Sequence, residues 1–158
     1  MAATFDAIAT ATLTTASNTI TFSNIPSTYT ELYITLSGST SSFVSTSIRF
    51  NNATSPTYGA CRQYASGAAN MAFNNYNASA ESLTGIFDTG QSFIDIWIPG
   101  YKDTTLKKGF LSRCYIRGSL VGTWWGGWTG TSAISRIDLL AGVNYQVGTV
   151  ATVYGTLA

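Results

Sequence analysis

The chain has 158 residues, a length that suits one domain and buries roughly two thirds of the unfolded surface on folding. Only 9% of residues are charged and the net charge is +1, which argues against steering toward nucleic acid or anionic lipid. A hydrophobic fraction of 45% argues against disorder, and the polar remainder is Ser, Thr, Asn and Gly, residues suited to strands and turns more than to helices.

The first segment, MAATFDAIATATL, lacks the basic and continuous apolar regions of a secretory signal. Residues 6–14 alternate and are Thr-rich, so residues 1–17 are either an N-terminal arm or a first strand. Residues 18–23 form a second strand pattern. Residues 31–37 place Leu32, Ile34 and Leu36 on one face, with Glu31, Tyr33 and Thr35 on the other. Residues 44–50 group Val44, Ile48 and Phe50.

The middle, 51–90, is punctuated by Asn-Asn, Ser-Pro and Ser-Gly pairs and is weakly periodic. It reads as long loops with two short strands, near 58–65 and 82–87. Regular alternation resumes at 92–98, where Ile94, Ile96 and Ile98 oppose Phe93, Asp95 and Trp97. Pro99-Gly100 ends that strand. Residues 108–117 set Phe110, Cys114 and Ile116 against Arg113, Tyr115 and Arg117. Strands over 133–140 and 148–155 complete the set. No window carries a capped helical stripe, and no run approaches the roughly 20 apolar residues that span a membrane. The expectation is an all-β, single-domain antiparallel β-sandwich over residues 1–158. It has eight to ten strands and long loops and is jelly-roll-like.

The chain contains no histidine, which removes the commonest general base, the usual Ser or Cys triads, and most zinc and copper sites. The seven carboxylates, Asp6, Glu31, Glu81, Asp88, Asp95, Asp103 and Asp138, are scattered without a glycosidase-like pairing. Asp95 reads as a surface residue or as the partner of an arginine on a neighbouring strand. Cys61 and Cys114 match no metal spacing and read as two small buried hydrophobes in preference to a disulfide. Lys102, Lys107 and Lys108 read as a solvated loop. No enzymatic activity, cofactor or metal is expected.

One segment concentrates binding chemistry: Thr123-Trp-Trp-Gly-Gly-Trp-Thr-Gly130, with three of the four tryptophans around two glycines. Read as a loop, it leaves three roles open for Trp124, Trp125 and Trp128. They cap one end of the sandwich, contact a protein partner, or stack on a glycan.

Several motifs recur together. Ile20 to Pro26 with Tyr29 and Leu32 fits I-x-F-S-N-I-P-x-x-Y-x-x-L, Ile48 to Asn51 fits [LI]-R-F-N, and Ala151 to Gly155 fits A-T-x-Y-G. The stretch FIDIWIPGY at 93–101 fits I-x-I-x-I-P-x-Y. In these the chain resembles a family of structural proteins of tailed bacteriophages, cyanophages among them. The resemblance covers most of the chain in outline but is poor over 53–90 and 118–130. Asn52-Ala53 stands where the family turn often reads G-D.

The resemblance implies a virion structural protein, foremost a capsid decoration (cement) protein on the capsid surface. Its partners would be the major capsid protein and copies of itself in a homo-oligomer, for which a trimer is a common symmetric form. The alternative is a tail-associated or receptor-binding module that takes a glycan. Neither reading involves nucleic acid or a membrane.

Overall fold

The computed structural model describes residues 4–54, 58–66, 69–79 and 81–157. Among the described residues twelve strands form and no helix does. They are β1 (Thr4–Thr12), β2 (Ser17–Phe22), β3 (Glu31–Gly38), β4 (Val44–Phe50), β5 (Tyr58–Ser66) and β6 (Ala69–Ser79). The second half supplies β7 (Ser82–Phe87), β8 (Ser92–Pro99), β9 (Lys108–Ile116), β10 (Leu120–Trp128), β11 (Ile137–Tyr145) and β12 (Val150–Leu157).

All pairings are antiparallel. An eight-stranded sheet runs β1-β12-β3-β8-β9-β10-β5-β6, and a four-stranded sheet runs β2-β11-β4-β7. Two hairpins, β5–β6 and β9–β10, can be set aside. The other eight strands, counted in chain order, then read first–eighth–third–sixth in one sheet and second–seventh–fourth–fifth in the other. This interleaving is the jelly roll. The two hairpins come from different connections and join each other along β10 and β5, which doubles the width of the larger sheet.

The alternating apolar residues meet between the sheets. Leu32, Ile34 and Leu36 of β3 and Ile94, Ile96 and Ile98 of β8 face Ile20, Phe22, Ile48, Phe50, Ile137 and Leu139 of the smaller sheet, all of them buried. Each such side chain contributes roughly 1.5–3 kcal/mol relative to remaining exposed.

One end of the sandwich is closed by the loops that follow β2, β4, β8 and β10. Asn24 (φ 58°), Asn51 (φ 52°) and Asn52 (φ 54°) all take the left-handed conformation that Asn tolerates better than most residues. The Asn51 amide nitrogen donates to Ala133 O at 2.8 Å, and its Oδ1 accepts from the backbone N–H groups of Ser135 and Arg136. Ile25 N donates to Ser135 O and Ile134 N to Tyr101 O, both at 2.9 Å, while the Tyr101 hydroxyl donates to Pro26 O. Pro26, Asn51 and Tyr101, far apart in sequence, thus lock one joint.

The structure corrects several expectations. Among the described residues there are twelve strands, not eight to ten, and of the two readings of the N-terminal segment the first strand holds: Thr4–Thr12 is an edge strand paired with β12. Much of 51–90 is sheet. The unexpected strand β6 is rich in Asn, a poor strand former, and pairs along β5. The last strand pair begins later than expected, at Ile137, because 133–136 is held by Asn51. Lys108 is not solvated. It is 2% exposed at the start of β9, and its Nζ donates to the carbonyls of Leu106 and Thr131. Cys61 and Cys114 form no disulfide with each other, as expected, but only Cys114 is buried.

Candidate functional site

The tryptophan-rich segment is strand β10, not a loop. Its period of two is written in size instead of polarity: Leu120, Gly122, Trp124, Gly126 and Trp128 point inward, with Val121, Thr123, Trp125 and Gly127 outward. The inward glycines make room for rings. A Cβ at Gly126 would collide with Phe110, and one at Gly122 would crowd Trp124 and Tyr64. Trp124 is 0% exposed and stacks on Tyr64, with centroids 6.2 Å apart and planes 4° apart. Trp128 is 6% exposed and lies against Tyr58 and Phe50. Of the three candidate contacts, only Trp125, at 44% exposure, reaches solvent.

The register builds a larger outward surface. Across the eight-stranded sheet, Tyr154, Tyr33, Trp97, Leu111, Trp125 and Cys61 stand in one cross-strand row. The next row is polar: Thr152, Thr35, Asp95, Arg113, Thr123 and Gln63. Beyond it come Val150, Ser37, Phe93, Tyr115, Val121 and Ala65. On the other side of the aromatic row, Gly109, Gly127 and Gly59 align on β9, β10 and β5. A Cβ at Gly59 would meet nothing within 4 Å, so the row is a trough of bare backbone beside Trp125. A shallow cleft of about 350 Å³ occupies it.

A second cleft, of about 340 Å³, lies over β3, β8 and β9 and is lined by Phe5, Glu31, Tyr33, Trp97, Arg113 and their neighbours. Trp97 is 41% exposed, yet its ring is tethered: Nε1 donates to Glu31 Oε2 at 2.9 Å, from the diagonal position on β3. Arg113 grips Asp95 with a two-point fork, Nε to Oδ1 at 3.0 Å and a terminal nitrogen to Oδ2 at 2.9 Å. This is the arginine partner that the alternation of Asp95 suggested. The same guanidinium donates to the Tyr33 hydroxyl at 3.4 Å. Partial burial, then the Asp95 charge, raise the Tyr33 pKa, while the bond to Asp95 raises that of Arg113. Phe5 meets Tyr33 edge-on at 5.7 Å and walls one side. The cleft therefore offers an aromatic plate with fixed donors and acceptors around it.

Elsewhere the charged groups serve the frame. Asp138 accepts from Arg136 and Thr21, and Glu81 pairs with Arg49. Asp103 caps its turn by accepting from the backbone N–H groups of Thr105 and Leu106, which lowers its pKa. The Cys114 thiol is pushed up to about 11 by burial, which removes it as a thiolate nucleophile. The alternation had put Trp97 and Arg113 on outward faces. Only the sheet order, which sets β3 beside β8, brings Glu31 to the indole.

Among proteins compared by sequence, no family model and no curated protein matches the chain. Among solved structures, the chain is similar to the galectin LEC-6 of Caenorhabditis elegans, at 8% identity and a TM-score of 0.35, over 90% of this chain and 92% of that one. A likeness at that level establishes neither kinship nor a shared ligand.

Proposed function

We propose that the chain is a non-enzymatic structural protein of a bacteriophage virion, a capsid decoration (cement) protein that stabilises the shell by bridging capsid subunits. The observation that carries this reading is where the phage-like motifs lie. Ile20 to Pro26, Tyr29, Ile48 to Asn51, Tyr101 and Gly155 sit on the eight-strand frame and its locked joint. The segments that depart from the family pattern, 53–90 and 118–130, include the added hairpin β5–β6 and the strand β10 that joins it to the frame. The motifs thus lie on the frame, while the departures take in three of the four added strands together with the frame strand β7.

The outer face of the eight-stranded sheet, to which these strands contribute, suits protein contact. Its exposed Phe93, Tyr115, Val121 and Trp125 are aromatic or apolar, and the glycine trough allows close approach of a neighbouring chain. The partners are the major capsid protein and further copies of this chain. A tail-associated, receptor-binding role is the second reading, favoured by the exposed indole of Trp97.

Particle imaging with copy counting separates the two. The decoration reading expects density on the shell and hundreds of copies per particle, together with saturable binding to particles stripped of the protein. Confinement to the tail, in tens of copies or fewer, overturns it.

A further inference from the structure

We propose that the cleft over Trp97 is a binding site for a neutral saccharide. The first ground is the plate. An indole 41% exposed, held by its own N–H to Glu31 at 2.9 Å, presents an aromatic face whose orientation is set before any ligand arrives. The apolar C–H face of a pyranose ring packs on such a surface, and the orienting bond leaves the ring face uncommitted.

The second ground is the polar fringe. Glu31 Oε2 accepts from the indole, which leaves Oε1 as an acceptor. Arg113 has a terminal nitrogen beyond the two that hold Asp95, and the Tyr33 hydroxyl completes the set. Sugar hydroxyls both donate and accept, so they satisfy a carboxylate and a guanidinium side by side. The apolar surface of a protein partner would instead strip water from both and return no hydrogen bond.

The third ground is charge. Glu31 and Asp95 contribute −2 and Arg113 +1, so the cleft carries −1 and disfavours anionic ligands. The −1 is not open to a cation, because Asp95 is already held by the Arg113 fork and Glu31 by the indole N–H. A neutral polyol remains. Trp125 is a comparison within the same face: its exposure is similar, but the trough beside it is floored by glycine and has no carboxylate against the ring.

The inference goes beyond the virion reading and does not rest on it, since a saccharide site could serve a shell protein or a tail protein. The test uses the full chain on an array of neutral hexose- and N-acetylhexosamine-terminated glycans beside sialylated and uronic-acid glycans. Hits are titrated in solution by protection of tryptophan fluorescence from a soluble quencher. Binding is expected among the neutral glycans alone. Trp97→Ala is expected to weaken it at least about tenfold, Trp97→Phe, which keeps a plate without the tether, less so, and Trp125→Ala to leave it unchanged.

The proposal is overturned by the absence of any neutral-glycan signal, by preference for acidic glycans, or by equal losses in the Trp97 and Trp125 variants. It is also overturned if Trp97→Ala turns an oligomer into a monomer without any glycan signal, because the face is then a contact between copies. Capsid binding measured on Trp97→Ala keeps the two questions apart: retained shell binding with lost glycan binding supports both readings, and loss of shell binding alone makes the cleft a capsid contact.

Discussion

The ring of Tyr29 fills the space that a side chain at Gly155 would need; a Cβ there would run into the ring itself. Tyr29 lies in the loop after β2 and Gly155 on β12, so the contact ties that loop across the larger sheet. A glycine in a strand is ordinarily a weakness. Here it is the condition for closing the joint that Pro26, Asn51 and Tyr101 also hold. Gly155→Ala is expected to cost about 1–3 kcal/mol through overpacking, read as a lower urea midpoint at unchanged slope. Gly59→Ala, where the added methyl meets nothing, is expected to gain about 0.5–1 kcal/mol by relieving the strand of a glycine. The same substitution should therefore move stability in opposite directions, and shifts of one sign would refute the packing argument.

The frame was legible in the sequence wherever the alternation was one of polarity. Leu32, Ile34 and Leu36, and Ile94, Ile96 and Ile98, are buried as their spacing required. In β10 the same alternation runs between glycine and tryptophan, so a reading by polarity sees a flexible loop, and three rings looked equally available when two are core. Lys108 illustrates a second limit. Its charge suggested solvent, but two carbonyls from separate loops satisfy its ammonium group. The Trp97–Glu31 pair marks a third, because strand order in a jelly roll is set by pairings between distant segments that no local pattern encodes.

Trp124 is fully buried, yet among the described residues its indole N–H has no hydrogen-bond partner. An unsatisfied buried donor costs about 1–3 kcal/mol. Trp124→Phe should therefore be mild, at most about 1.5 kcal/mol destabilising, because removal of that donor offsets the lost volume. Trp124→Ala removes the ring that stacks on Tyr64 and should cost about 3–5 kcal/mol. Urea titrations of the two variants check this, and a Phe variant as damaged as the Ala variant would mean that the N–H has a partner in the folded protein.

The two thiols should differ in reactivity. Cys61 is half-exposed on the outer face of β5, while Cys114 is buried between the sheets, its sulfur donating to Ile86 O at 3.0 Å. In the native protein a disulfide-exchange reagent at mild alkaline pH is expected to label one thiol per chain, and both after denaturation. Peptide mapping should place the native label on Cys61. Rapid native labelling of Cys114 would show that the core opens near β7 and β9.

Alkaline pH should unfold the protein through Tyr58. Burial pushes its phenol up to about 12 from the ordinary 10.0, and its hydroxyl both accepts from Phe50 N at 2.7 Å and donates to Phe50 O. A folded-state pKa above the unfolded one means that the folded state holds more protons between the two values, so stability falls as pH rises. The contribution is fully present below about pH 10 and is lost through about pH 12, at roughly 1.4 kcal/mol for each unit. Burial raises Tyr145 and Cys114 as well, with the same sign. Lys108 opposes them, because burial lowers its pKa and its contribution improves as pH approaches the ordinary lysine value of 10.5. One lysine is outweighed by three acids. The urea midpoint is therefore expected to hold steady to about pH 9 and to fall above it, with tyrosinate absorbance rising as unfolding proceeds. Tyr58→Phe should be less stable at neutral pH, through the two lost bonds, yet show a shallower alkaline decline. A midpoint that rises between pH 9 and 12, or an unchanged slope in the variant, would remove Tyr58 as the cause.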